Sequence, residues 1–401
     1  MIGWVLLSRE AVARAEEALA SHEKGVRDEV GFLALHQGFA DRFFPGTSVL
    51  QTRLRYVLFV PLLVAKIAAD GNSDLAKRLS AAETALAGQL KAGQDRDGII
   101  GGRVWPRPTA QPPSMSYWSA LATWGILRPR PDGSAPSRIE ALRLLAQQRG
   151  RQRARLADDD GGSLDDDSTS PFVMLPPKPK AFAVRGEPLD FALTPAERAF
   201  FRKHLLGVRR PGTAVPCLLA RLTEAGIGPD AIDLWVPEIA GVADAEDQAA
   251  LVTARRAAAL ACIGRAIYAA LTEITREKDG LGDCTAHRDH LHQTIEEYGQ
   301  DARAIDLNVL NSFLPTLSDG ISLVLSETLN WLAGSDPDPG LLYEVYAKAE
   351  RGRKGLRARL PDNVAGKQLR AEWDPHKHPL AEPLHYRWPN VRRLLADLHA
   401  T

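Results

Sequence analysis

The chain has 401 residues, and its 50 Lys plus Arg are matched by 50 Asp plus Glu, giving a formal net charge of zero. This excludes a one-signed field over the whole molecule, so any attraction to nucleic acid must come from a local patch. The length exceeds the roughly 250 residues at which single cores stop growing, so two or three domains are expected. Three widely spaced cysteines, Cys217, Cys262 and Cys284, exclude a disulfide framework and fit a reducing compartment.

The opening residues, MIGWVLLSRE, have no basic region before their short apolar run and do not read as a signal peptide. Good helix formers with 3.6-residue periodicity predict helices over about 8–24, 32–44, 48–69, 73–92, 194–206, 244–276, 284–298, 316–333 and 389–399. The apolar stretch 56–69 contains Pro61 and Lys66 and falls short of the ~20 residues of a membrane span, so it is expected to be a core helix. Ser137 with Glu140, and Thr194 with Glu197, have capping-box spacing, the second with Pro195 at the first helical position. Alternating β-branched runs are scarce. The expected fold is therefore mainly α, a multi-helix protein of two helical lobes.

A basic stripe, Arg149 to Arg155, ends a helix and is followed by ADDDGGSLDDDSTSP and PFVMLPPKPK. So polar a stretch cannot bury enough surface to order itself. It divides the chain into an N-terminal helical domain (1–156), an acidic and Pro-rich linker (157–190) and a C-terminal helical domain (191–401). Residues 42–69, 98–131 and 171–186 contain no carboxylate and several Arg or Lys, so they are candidates for a shared anion-facing surface or for plain packing.

The densest chemistry lies in 27–56. Phe43-Phe44-Pro45-Gly46 ends one helix, and Thr47, Ser48 and Gln51 are placed to cap the next, whose N–H groups would suit a phosphate. Arg53 and Arg55, two apart, do not share a face. One is expected at an anion, the other on Asp28, Glu29 or Asp41. Among these carboxylates Asp28, in a loop, is the first candidate for general base, Asp41 the second and Glu29 the third, each with a plain capping or surface role as the competing reading. Tyr56 follows directly.

In 103–131, Tyr117 and Trp118 are candidates to stack on an extruded base or sugar, against ordinary core packing, which is favoured for Trp124. Tyr386 and Arg387 precede a Pro389-initiated helix, which suits backbone binding or docking of that helix onto the body equally. Cys284, His287, His290 and His292 are close in sequence, but the second paired ligand set of a structural zinc site is missing, so no metal is expected. Phosphate loops, a dinucleotide-binding Gly-x-Gly-x-x-Gly, a nucleophile elbow and the zinc-deaminase pattern are also absent.

The strings Arg27-Asp28-Glu29, FADRFFPGTSVLQTRLRYVLFVP, SYWSALATWGI, LTPAERAFFR and LHYRWPNVRRLLADL resemble an uncharacterised bacterial family associated with phage-defence islands. That family in turn resembles the Brig antiphage DNA glycosylase. The resemblance runs the length of the chain and carries no catalytic residues with it. It implies a DNA glycosylase without cofactor; a monofunctional, cytoplasmic enzyme is expected because Lys66, the one lysine of 27–69, lies on an apolar helix and the cysteines fit a reducing compartment. Such an enzyme would hydrolyse the N-glycosidic bond of a modified cytosine, α-glucosyl-hydroxymethylcytosine, in double-stranded phage DNA and leave abasic sites. Other defence-island proteins are possible partners, and no membrane is involved. The alternative is a non-catalytic nucleic-acid-binding or adaptor subunit of a defence complex.

Overall fold

The computed structural model describes residues 28–69, 74–157, 170–184, 186–334 and 338–400, without the side chains of 149–157 and 183. The described residues contain seventeen α-helices and two short 3-10 helices and no β-strand beyond two isolated bridges. The fold is mainly α. The helix expected over 8–24, Arg27 of the Arg-Asp-Glu string and most of the acidic run fall outside the described residues.

Helix starts follow the local chemistry of the sequence. Thr194 Oγ1 accepts from Glu197 N (3.2 Å) while Glu197 Oε2 accepts from Thr194 N (2.8 Å), opening helix Pro195–Leu206 with a complete capping box. Ser137 and Glu140 exchange the same pair of bonds at the start of Arg138–Ala157. Helix Trp388–His399 begins with Pro389 in its first turn, as expected.

One expected helix is shorter than its periodicity suggested. Residues 48–55 form turns, and the helix begins at Tyr56. The backbone N–H groups of Thr52, Arg53 and Leu54 are taken by side chains from distant parts of the chain, a tertiary override of local propensity.

The chain divides into two compact units, residues 1–39 with 245–386, and 40–244 with 387–401. These bounds differ from a division at 157–190, because the residues after the acidic run return to the helices before it. Pro171 O accepts from Arg128 N (2.8 Å), and Val173 N donates to Ile126 O (3.0 Å). Gln89 Nε2 donates to the carbonyls of Ala181, Val184 and Glu187.

The first unit is built on helix Ala245–Lys278, which packs along Ala286–Arg303. It is long and apolar enough to cross a membrane by length and composition, yet 89 % of its apolar window is buried inside the protein. Its small residues Ala250, Ala254, Ala257, Ala261 and Gly264 are buried, which lets neighbours approach the backbone. At Gly264 the approach is closest, since a Cβ there would stand 2.2 Å from Phe32 Cζ. The second unit is built on Tyr56–Ala69, buried on nearly every side and packed against Arg138–Ala157 and Leu75–Ala92.

The substitution Gly264→Ala is expected to cost roughly 1–3 kcal/mol by overpacking against Phe32. Urea denaturation measures this, and Phe32→Leu in the same chain should recover part of the loss. A Gly264→Ala protein as stable as its parent would contradict this packing.

Candidate functional site

The residues from Phe44 to Tyr56 form a loop fastened at almost every position. Gly46 is in the left-handed region (φ 82°), and a Cβ there would meet Thr123 and Trp124 at 2.8 and 2.9 Å, so the Pro-Gly turn admits no side chain. Thr47 Oγ1 donates to Phe44 O (2.7 Å). Ser48 Oγ accepts from Leu50 N (3.1 Å), and Gln51 Nε2 donates to Gly46 O and Ser116 O. These three residues therefore brace a loop instead of capping a helix, and the phosphate-binding helix start expected at Ser48 is not formed.

Tyr117 is fully buried, and its hydroxyl accepts from Thr52 N (2.8 Å) and Arg53 N (2.9 Å) while donating to Arg53 O (2.7 Å). Burial pushes its phenol well above the ordinary value. Tyr56, also buried, accepts from Ile100 N (2.9 Å) and packs against Tyr117. Trp118 is half-buried, donates to Pro136 O (2.9 Å) and meets Phe172 edge-on. Both tyrosines are thus core residues of the second unit and present no face for a base to stack on.

Both arginines are paired internally, and neither partner is one the sequence suggested. Arg53 binds Asp397 through Nε (3.0 Å) and Nη2 (2.9 Å), reaches Asp95 through Nη1 and lies 4.4 Å from the Phe191 ring centroid. Arg55 binds Glu197 (3.1 Å) and Asp190 (2.7 Å). Asp397 is largely buried, and burial raises its carboxyl above the ordinary range despite the Arg53 partner and the Leu54 N–H it accepts. Asp41, 58 % exposed, pairs with Arg387 (2.6 Å), which also donates to Thr47 O (2.8 Å). Asp41 is thus held by an arginine, although neither Arg53 nor Arg55 supplies it.

The other candidates belong to the first unit. Tyr386 is fully buried, donates to Ala254 O (2.8 Å) and stacks on His36, so it too is a packing residue. Asp28 and Glu29, by contrast, lie in a network of charged groups that sequence reasoning did not assemble. Asp28 Oδ1 accepts from Gly31 N (3.0 Å) and Leu33 N (3.1 Å), at the entry to helix Leu33–Phe43. Its Oδ2 is buried and ion-paired with Arg353 Nη2 at 2.5 Å. Desolvation raises its pKa above the ordinary 3.8, opposed by Arg353 and the two backbone donors.

Glu29 Oε1 lies 3.5 Å from Lys354 Nζ and 3.6 Å from Arg359 Nη1. Lys354 is also 3.9 Å from Glu350 Oε1. Glu350 is wholly buried and accepts from Tyr268 OH (2.5 Å) and Leu360 N (2.9 Å). Burial and the neighbouring Glu350 and Glu29 raise the Tyr268 phenol well above its usual value. Three carboxylates, a phenol and three cations therefore meet in the first unit. The one sequence signal for the missed members was the run Glu350-Arg351-Gly352-Arg353-Lys354, whose charge reads equally well as a solvated helix end.

The His-rich segment serves packing. His287 is buried with Nε2 at 3.1 Å from Pro375 O, and His290 Nε2 is 2.9 Å from Ala381 O. Among the described residues no group of three or more His, Cys, Asp or Glu side chains is placed to hold a metal ion.

Residues 1–137 match the model of a family of unknown function, DUF6361, a span that contains Asp28, Glu29 and the Phe44–Tyr56 loop. No curated protein and no solved structure matches the chain.

Replacing Arg55 by Ala leaves Glu197, 2 % exposed, without its cation, and should cost about 3–5 kcal/mol. Chemical denaturation reads the loss, and adding Glu197→Gln should return part of it. An Arg55→Ala protein of unaltered stability would show that this pair does not hold the unit together.

Proposed function

We propose that the chain is a DNA glycosylase that hydrolyses the N-glycosidic bond of a modified cytosine, with Asp28 as general base. The observation that carries this reading is the buried carboxyl of Asp28, one oxygen fixed by two backbone N–H groups and the other ion-paired with Arg353. The two backbone bonds fix the direction of the second oxygen, as general-base catalysis requires, and in the proposed reaction Arg353 swings aside to admit water to it. Burial keeps its proton affinity above that of a solvated aspartate.

In the proposed reaction Asp28 Oδ2 takes a proton from water as the water oxygen bonds to C1′ of the sugar. The electron pair of the C1′–N bond leaves with the base, which takes up a proton from solvent. Asp28 stabilises positive charge developing on the sugar, and Arg353, 46 % exposed, links the buried carboxyl to the surface. The α-glucosyl-hydroxymethyl form of the base, the double-stranded phage DNA and the defence role come from the family resemblance, the cytoplasmic location from the sparse cysteines, and all belong to the same proposal.

The test is incubation with glucosylated phage DNA followed by alkali. Strand breaks at cytosine positions are expected with the parent protein, and a folded Asp28→Asn protein should lose about 10²–10⁴-fold in base release while still binding DNA. Base release at the parental rate by Asp28→Asn would exclude Asp28. Intact DNA with a gel shift would assign the chain to the alternative class, a non-catalytic DNA-binding subunit.

The pH dependence has a defined sign. Base catalysis needs the ionised carboxylate, so the rate falls as pH drops through the Asp28 pKa, and burial places that acid limb above 3.8. Single-turnover rates across the acid range measure it, and a limb that survives in Asp28→Asn belongs to another group.

A further inference from the structure

In the second unit, residues 101–108 form a loop whose side chains are exposed although its backbone is tied down. Val104 N and Trp105 N both donate to Gly101 O (3.2 and 3.0 Å), Arg107 N donates to Val104 O (3.0 Å), and Lys91 Nζ donates to Gly102 O (3.2 Å). The Trp105 indole rests on helix Leu75–Ala92 at Gly88, where a Cβ would stand 2.8 Å from Nε1, and Lys91 Nζ lies 5.1 Å from its ring centroid. Seated there, Trp105 remains 43 % exposed, beside exposed Arg103, Val104 and Arg107.

Exposed apolar surface rimmed by polar groups marks a place of contact when it is contiguous, as Val104 and Trp105 are here. The segment that carries the ring has charge of one sign. No carboxylate occurs between Gly98 and Pro131. The nearest preceding ones are engaged, Asp95 with Arg53 and Asp97 with Arg393. Glu83 is buried and accepts from Ser114 N (2.7 Å). Arg107 also lines a cleft with Thr84, Thr109 and Glu83 directly behind the loop.

We infer that the 101–108 loop is a nucleic-acid contact, in which Trp105 stacks on an unpaired base and Arg103 and Arg107 hold the flanking phosphates. Every base offers a π-face and every linkage a negative charge, so a rigid indole between two guanidinium groups suits a single strand of any sequence. A fastened loop also loses little freedom on binding. The inference shares only its ligand class with the proposed glycosylase, since it involves neither Asp28 nor catalysis.

The test is fluorescence-anisotropy titration of the full chain with a labelled single-stranded oligonucleotide over a range of salt. Trp105→Ala should weaken binding roughly 5- to 100-fold, with Trp105→Phe largely restoring it. The double substitution Arg103→Ala, Arg107→Ala should reduce the salt slope by about 1.4, that is, about 0.7 for each phosphate no longer neutralised. The three side chains are exposed, and melting temperatures near the parent's confirm that the variants are folded. Unchanged affinity and slope in folded variants overturns the inference and leaves the glycosylase reading standing. Altered binding by a chain that releases no base sustains the inference and removes that reading. A parent chain that binds no oligonucleotide overturns the inference and points to a protein ligand for this loop.

Discussion

Asp397 accepts the backbone N–H of Leu54 and two guanidinium nitrogens of Arg53 at once. Arg53 extends the connection to Asp95, and the Tyr117 hydroxyl secures the backbone on either side of it. Helix Trp388–His399, a loop more than 300 positions before it and a tyrosine between them thus meet around one carboxylate. Burying these charges gains little by itself, because desolvation offsets most of the attraction. What it gives the second unit is a single register. Any slip of the Phe44–Tyr56 loop would leave a buried ion and several backbone N–H groups without partners, a far larger penalty than a hydrophobic mismatch.

The first unit uses charge differently. Its long helix is lined by alanines and one critical glycine, so its neighbours pack closely and leave few gaps. Into that dense surround the chain inserts Tyr268 and Glu350, connected through Lys354 to Glu29. Such a network is costly unless every member is satisfied. Here two buried members, Asp28 Oδ2 and Arg359 Nη1, are held by ion pairs with Arg353 and Glu29.

Much of the fold was legible because helix signals are local. Thr194-Pro195-Ala196-Glu197 and Ser137 with Glu140 announce their helices with bonds that span three residues. The Phe44–Tyr56 loop misled for the complementary reason. Ser48 and Gln51 have capping spacing, but the partners that decide the conformation, Tyr117 and Asp397, are distant in sequence. The arginines misled likewise, since a run poor in carboxylates looks free when its counter-charges arrive from elsewhere. Asp28 was legible as a loop carboxylate, whereas Arg353 beside it was not, because 325 positions separate the two. The division into units was obscured by the acidic run, whose composition marks a break in order but not a break between cores.

The arrangement of the units along the chain has a consequence for biogenesis. One unit is interrupted after residue 39 and resumes at 245, and the other is interrupted after 244 and resumes at 387. During synthesis at about 5–20 residues per second, the early segment holding Asp28 therefore waits roughly 10–40 s for the long helix it packs with. The Arg53 loop waits longer still for Asp397. Until the long helix is made, Phe32 and Phe39, both buried in the folded protein, are exposed as apolar surface of the kind chaperones bind. Completion of the second unit is thus governed by helix Trp388–His399, and a ribosome stalled before codon 397 holds a loop whose central arginine has Asp95 but not the buried carboxylate that fixes its register.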